Sequence, residues 1–169
     1  MKRVPVTPEG YIALQDDLRY HREVLRPQIV RDIEEARAQG DISENSEYED
    51  AKERQSHCEG RIEWLESTIA SAEIIDVTKV PRDGRVVFGT TVVLADPDTG
   101  DEKRWRIVGE TESDVARGWI SYTAPLGRAM IGHREGDEVT VPTPAGPRRW
   151  EVVGVLYLPP EPAASVKSA

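Results

Sequence analysis

The sequence predicts an α+β protein. An N-terminal antiparallel α-helical coiled-coil hairpin precedes a C-terminal antiparallel β domain with one short helix. Three observations carry this. Two long stretches repeat apolar residues at intervals of three and four, the signature of a helical seam. A short acidic turn, Gly40–Tyr48, joins them, so the two helices must fold back on each other. Beyond Val77 the pattern changes to short β-forming runs separated by Gly- and Pro-containing turns.

Thr7-Pro8 opens the first helix, with Thr7 able to cap and Pro8 suited to the first helical position. The seam then runs through Tyr11, Leu14, Leu18, His21 and Leu25 and resumes at Ile29, Ile33 and Ala36. Pro27 predicts a kink or local break between these parts, because it lacks an N–H and crowds the preceding turn. The second seam is Tyr48, Ala51, Gln55, Cys58, Ile62, Leu65, Ile69 and Ala72. Each run of about 28 residues predicts a helix on the order of 42 Å long at ~1.5 Å per residue.

Pro81-Arg82-Asp83-Gly84 reads as a turn into the β-rich half. Arg85–Ala95 predicts a strand, Asp96–Gly100 a hairpin loop, and Arg104–Val108 the returning strand. Trp119–Tyr122 reads as a short strand. Thr123-Ala124-Pro125 opens a short helix that ends before Gly132. Glu138–Val141 and Arg149–Leu158 form the last hairpin. The expected organisation is therefore a helical hairpin over 1–77, a β domain over 78–158, and a Pro-, Ala- and Ser-rich tail over 159–169, expected to be disordered.

Composition narrows the function. The 169 residues carry a net charge of −9, with 31% charged residues. A whole molecule of that charge is repelled by a bare phosphate backbone, so any nucleic-acid contact must be local or through a partner. One cysteine, Cys58, excludes a disulfide within the chain and suits a reducing, cytoplasmic setting. No window has the run of ~18–20 apolar residues that a membrane span needs, and no membrane partner is expected. His21, His57 and His133 have no metal-ligand spacing. Cys58 lies on the seam and reads as a small buried hydrophobe.

The acidic turn is the feature that packing explains least. Acids near a helix N-terminus are favoured by the macrodipole, which is a sufficient structural reason for some of them. Asp41 and Glu44 are three apart, however, and on a turn entering a helix they can converge.

At Gly40-Asp41-Ile42-Ser43-Glu44-Asn45-Ser46-Glu47-Tyr48 the chain resembles the bacterial Gre transcript cleavage factors, most closely the GreA type. Further matches are Arg26-Pro27, Cys58-Glu59-Gly60-Arg61-Ile62, Ile75-Asp76-Val77, Gly84–Gly89, Arg106–Gly109 and Thr143–Gly146. The resemblance covers nearly the whole chain up to Pro159. It implies an FKBP-like β domain that docks on RNA polymerase at the rim of the secondary channel. It implies a hairpin that enters the channel, where the polymerase cleaves the 3′ end of backtracked RNA. The partners it implies are bacterial RNA polymerase and the nascent RNA 3′ end, met by a monomer. The chain would be an accessory factor, not an enzyme in its own right.

The same resemblance assigns Asp41 and Glu44 as the catalytic acids and as ligands of a Mg²⁺ shared with the polymerase, an ion the isolated chain is not expected to bind. Mg²⁺ sites of this kind use one or two carboxylates plus waters. Ser43 and Asn45 are supporting tip residues. Ser43 has the alternative of capping the second helix, and Asn45 can either fix the turn or touch substrate. Arg37 and Lys52 match an RNA-contacting basic patch, with Arg31 and Arg54 as weaker candidates. Ser121-Tyr122-Thr123-Ala124-Pro125 corresponds to the polymerase-docking loop, with Ala124 in place of the usual serine. Two alternatives stand beside cleavage. One is a Gre-like inhibitor that occupies the channel without promoting cleavage, although such paralogues alter the acid cluster kept here. The other is a prolyl isomerase, disfavoured because the chain has one phenylalanine, Phe88, with which to line an aromatic pocket.

Overall fold

Thr7 starts the first helix as its hydroxyl predicts. Its Oγ1 accepts the Gly10 N–H at 3.0 Å, and Pro8 occupies the first helical position. The computed structural model describes residues 2–40 and 45–159. In chain order the elements are β1 (Val4–Val6), α1 (Pro8–Tyr20), a π turn (His21–Leu25), α2 (Arg26–Ala38), α3 (Ser46–Ser71) and β2 (Ala72–Ile74). After these come β3 (Thr91–Ala95), β4 (Glu102–Val108), β5 (Trp119–Ser121), α4 (Pro125–Met130), β6 (Glu138–Val141) and β7 (Arg148–Leu156). They form two units, one of Tyr11–Ala72 and one of Lys2–Gly10 with Glu73 onward.

The break expected at Pro27 takes the form of the π turn just before it. Pro27 cannot donate a hydrogen bond, and its ring crowds the carbonyl four residues back, that of Glu23. The backbone answers by widening, and the Arg26 N–H bonds the His21 carbonyl five residues back. The seam shows why this works. His21, Leu25, Ile29 and Ile33 follow each other in successive steps of four, one residue more than alternating threes and fours allow. A π turn absorbs one extra residue, so the apolar positions on both sides stay on one face.

Ile29, Ile33, Ala51, Cys58 and Ile62 form the buried core of the helical unit, with Leu18, Leu25 and Tyr48 packed against it. Ion pairs cross between the helices outside this seam. Arg26 grips Glu59 through two contacts of 2.7 and 2.8 Å, Arg61 holds Asp17 at 2.6 Å, and Arg22 holds Glu66 at 2.7 Å. Exposed pairs of this kind contribute little energy each, about 0–1 kcal/mol. Their repeated cross-helix matching fixes which residues face each other.

The second unit is a five-stranded sheet in the order β5-β4-β3-β7-β6. The β3–β4, β3–β7 and β6–β7 pairs are antiparallel, but β4 and β5 are parallel, with Arg106 opposite Trp119 and Val108 opposite Ser121. The sheet is therefore mixed: the expected antiparallel β domain carries one parallel pairing at its edge. The cause is the connection. Between Val108 and Trp119 the chain makes two 3₁₀ turns, Glu110–Glu112 and Val115–Arg117, and so re-enters the sheet edge in the same direction. The strand expected over Arg85–Ala95 begins only at Thr91. Its first half instead makes a bridge from Arg85 to Arg134 and a turn in which the Thr90 N–H bonds Val87 O at 3.1 Å. Val86, Val92, Leu94, Ile107, Met130 and Val152 are fully enclosed at the centre of this unit.

The N-terminal residues join the β unit rather than the helices, so the helical unit starts at Tyr11. β1 pairs with β2, and the Ile75 N–H bonds Val6 O at 2.9 Å. The Glu112 carboxylate accepts the Thr7 N–H at 3.0 Å, the Gly109 N–H at 2.9 Å and the Thr7 hydroxyl. Buried polar groups are stable only when so satisfied.

Candidate functional site

The end of the helical hairpin is built from Ala36 onward. After α2 stops at Ala38, the Gln39 and Gly40 N–H groups turn back onto the Ala36 and Arg37 carbonyls at 3.2 and 3.3 Å. Gly40 has φ +112°, a conformation that residues with a Cβ rarely adopt. Its glycine therefore terminates the helix. On the other side, Asn45 is extended and caps α3, its Oδ1 accepting the Tyr48 N–H at 3.1 Å. The same side chain donates from Nδ2 to the Ala36 carbonyl at 2.7 Å. Asparagine suits this place because its amide carries a donor and an acceptor together. Asn45 thus occupies the N-cap position of the second helix. Asp41, Ser43 and Glu44 lie outside the described residues, as does the tail beyond Pro159.

Arg37 and Lys52 lie on the two sides of this end. The Arg37 guanidinium stands 5.9 Å from the centre of the Tyr48 ring, and Lys52 Nζ donates to Gln55 Oε1 at 3.1 Å. Among the described residues neither cation has an ion pair. Arg54, by contrast, contacts Asp32 and Asp50 at 3.2 and 3.9 Å, and Arg31 donates to Gln28 at 2.7 Å. Glu47 and Glu49 sit in the first turn of α3, where the helix dipole favours acids.

Further along the hairpin, Cys58 is buried and its thiol donates to the His21 carbonyl at 3.6 Å. Burial pushes the thiol pKa up, with the Glu59 carboxylate adding to it. His21 Nδ1 lies 2.9 Å from Asp17, and His21, His57 and Cys58 border a groove of about 520 Å³ beside the π turn. No cluster of three or more His, Cys, Asp or Glu side chains is placed to hold a metal ion among the described residues.

In the β unit, Ser121–Pro125 forms a tight, internally bonded loop between β5 and α4. The Ser121 Oγ lies 2.7 Å from Thr123 Oγ1 and accepts the Thr123 N–H at 3.1 Å, while the Ala124 N–H bonds Ser121 O at 3.0 Å. Tyr122 packs edge-on to Phe88 at 5.8 Å, and burial pushes its hydroxyl pKa up. Thr123 and Pro125 face solvent, whereas Ser121 is buried. The loop thus offers two exposed residues on a rigid base. Trp119, half-buried, lies between Arg106 and Arg117 at 5.2 and 4.1 Å.

Residues 4–74 match the family described as transcription elongation factor, N-terminal, and residues 81–157 match transcription elongation factor, GreA/GreB, C-terminal. The chain belongs to the GreA/GreB family of transcription elongation factors. It is 53% identical over 161 residues to transcription elongation factor GreA of Anaeromyxobacter sp. (strain K), covering 95% of this chain and 96% of the relative. It is 50% identical over 156 residues to GreA of Xanthomonas axonopodis pv. citri (strain 306), covering 92% and 99%. A solved structure of GreA factor homolog 1 of Thermus thermophilus matches 91% of this chain and 99% of its own at 30% identity, with a TM-score of 0.41.

Proposed function

We propose that this elongation factor stimulates a bacterial RNA polymerase to cleave the 3′ end of backtracked RNA. The tip of the helical hairpin enters the secondary channel, and the Ser121–Pro125 loop docks at the channel rim. The observation that supports the reading most directly is the end of the hairpin. A segment bearing Asp41 and Glu44 leaves α2 through Gly40 and is received by Asn45, which bonds both helices. The 26 residues of α3 give a helix of about 39 Å at ~1.5 Å per residue. That is a length suited to carrying carboxylates into a deep channel.

The donor chemistry fits Mg²⁺. Two carboxylates with waters are a common partial set for this ion, and too few to hold it without ligands from elsewhere. Asp41 and Glu44 are the residues that would hold it. When bound, Mg²⁺ lowers the pKa of water and offsets charge on a leaving oxygen. The chain's own part is to bring its carboxylates to the polymerase site and keep them there. Arg37 and Lys52 contact the extruded RNA, neutralising its phosphates as point charges. The chain acts as a monomer in the cytoplasm.

The test uses a backtracked polymerase with labelled RNA. Addition of the protein with Mg²⁺ shortens the RNA from its 3′ end, and Asp41→Ala or Glu44→Ala abolishes this while polymerase binding persists. Slowed elongation without shortening would instead identify a channel-occupying inhibitor.

A further inference from the structure

We infer that Asn45 is a positioning residue: its side chain clasps the end of α2 to the start of α3 and so sets the anchor points of the acidic segment. This rests on the cleavage reading above for its functional meaning, but the clasp itself is a matter of geometry. Asn45 and Ala36 are nine positions apart and belong to different helices, yet Nδ2 reaches the Ala36 carbonyl at 2.7 Å. That carbonyl also accepts the Gln39 N–H at 3.2 Å, so it gathers the last turn of α2 and the first residue before α3 at one oxygen. The Oδ1 of the same amide is spent on the Tyr48 N–H. Tyr48 in turn packs on the buried core, and its ring lies under Arg37 of α2. Three links therefore converge where the loop leaves the helices.

Two consequences follow from this bonding. Nδ2 bonds one helix and Oδ1 the other, so Asn45 acts through the backbone at both ends of the turn. Its two functions are also separable. A cap needs only an acceptor, which serine supplies nearly as well as asparagine. The link to Ala36 needs a donor at the reach of the amide nitrogen, which the shorter serine side chain lacks. Asn45→Ser should keep α3 capped and release α2.

The experiment pairs a structural with a functional readout on the full chain. Spin labels are placed at the exposed positions Gln39 and Glu47, as Gln39→Cys and Glu47→Cys in a Cys58→Ala background. Their separation is measured with Asn45 present and with Asn45→Ser. The expected result is a broadened distance distribution in the serine variant at an unchanged thermal midpoint. In the cleavage assay, with the native Cys58 and no labels, the Mg²⁺ concentration for half-maximal cleavage should rise roughly tenfold. That is the lower range of effects for residues that orient metal ligands. Excess Mg²⁺ should restore the rate. An unbroadened distribution, or an unchanged Mg²⁺ requirement, overturns the inference. Broadening together with a wild-type protein that cleaves nothing overturns the cleavage reading and the metal-positioning role with it. Wild-type cleavage with no effect of Asn45→Ser overturns the positioning role alone.

Discussion

Arg106 in β4 holds Glu9 in the first turn of α1 through two N–H···O contacts of 2.6 and 2.9 Å, across 97 positions of sequence. Both side chains are largely enclosed, 11% and 13% exposed. Removing one member leaves the other charge where water reaches it poorly. Arg106→Ala is therefore expected to cost about 3 kcal/mol in urea unfolding. A double change of both residues to Met should recover much of that loss. A loss below about 1 kcal/mol for Arg106→Ala would show that the pair contributes less than a buried bridge should.

The stability of the chain should fall in acid for identifiable reasons. The hydrogen bond from Arg26 holds Glu59 below the usual carboxylate range, and Gln28 and then Arg54 do the same for Asp32. The Thr78 hydroxyl lowers Asp76, and the backbone N–H groups of Asp98 and Arg134 lower Asp96 and Asp137. Each of these groups is more acidic folded than unfolded. As pH falls, the unfolded chain takes up protons first. The stabilisation is complete above the unfolded values, near pH 4, and is lost as pH drops through the lower folded values. Denaturation midpoints measured from pH 7 downward should hold until about pH 5 and then decline. Glu59→Gln should flatten the decline only slightly, by less than about 1 kcal/mol, because the pair is half exposed. A midpoint that stays level to about pH 2.5 would contradict the assignment.

Cys58 should be a slow thiol. It is 3% exposed, and burial raises its pKa, so thiolate is scarce and the sulfur is largely shielded even at the edge of the groove. Labelling by an aromatic disulfide near pH 8 is expected to be more than about tenfold slower in the folded chain than in the urea-unfolded chain. Equal rates would mean that the helices part readily at the π turn.

Gly127 leaves no room for a side chain. A Cβ there would lie 2.3 Å from the Ser121 carbonyl oxygen, a backbone atom. Gly127→Ala should push α4 off the Ser121–Pro125 loop at a cost of about 1–3 kcal/mol. If that loop docks on the polymerase, the variant should also compete more weakly with wild type for polymerase binding at a temperature where it remains folded. Full competition by a destabilised Gly127→Ala would remove the loop from the docking surface.

The helical seam was legible because its periodicity is local. Ile29, Ile33, Cys58 and Ile62 can be read as one face without knowing what they touch, and all four are core. The π turn was only half legible. Pro27 announces a disturbance, but how the backbone relieves it depends on the extra residue between His21 and Ile33. The parallel β4–β5 pairing was not legible at all, since the direction of a three-residue strand is set by the connection before it. The allegiance of Lys2–Gly10 was hidden for a similar reason. β1 is three residues long, and the residues that hold Glu9 and Thr7 just after it, Arg106 and Glu112, lie about a hundred positions away. At the candidate site, the sequence marked Asn45 but left its role open between the turn and substrate. The bond that ties it to the turn goes to the Ala36 carbonyl, on a residue with no polar side chain and hence no signal in the sequence.

The chain enters the β unit twice, through Lys2–Gly10 and again from Glu73, and everything between belongs to the helices. In topological terms the hairpin is an excursion of the chain between two paired strands. Matched removal or gain of helical turns in α2 and α3 alters no strand and no residue that ties β1, Thr7 or Glu9 in place. The length of the hairpin is therefore a dimension that can be set without redesigning the fold that carries it.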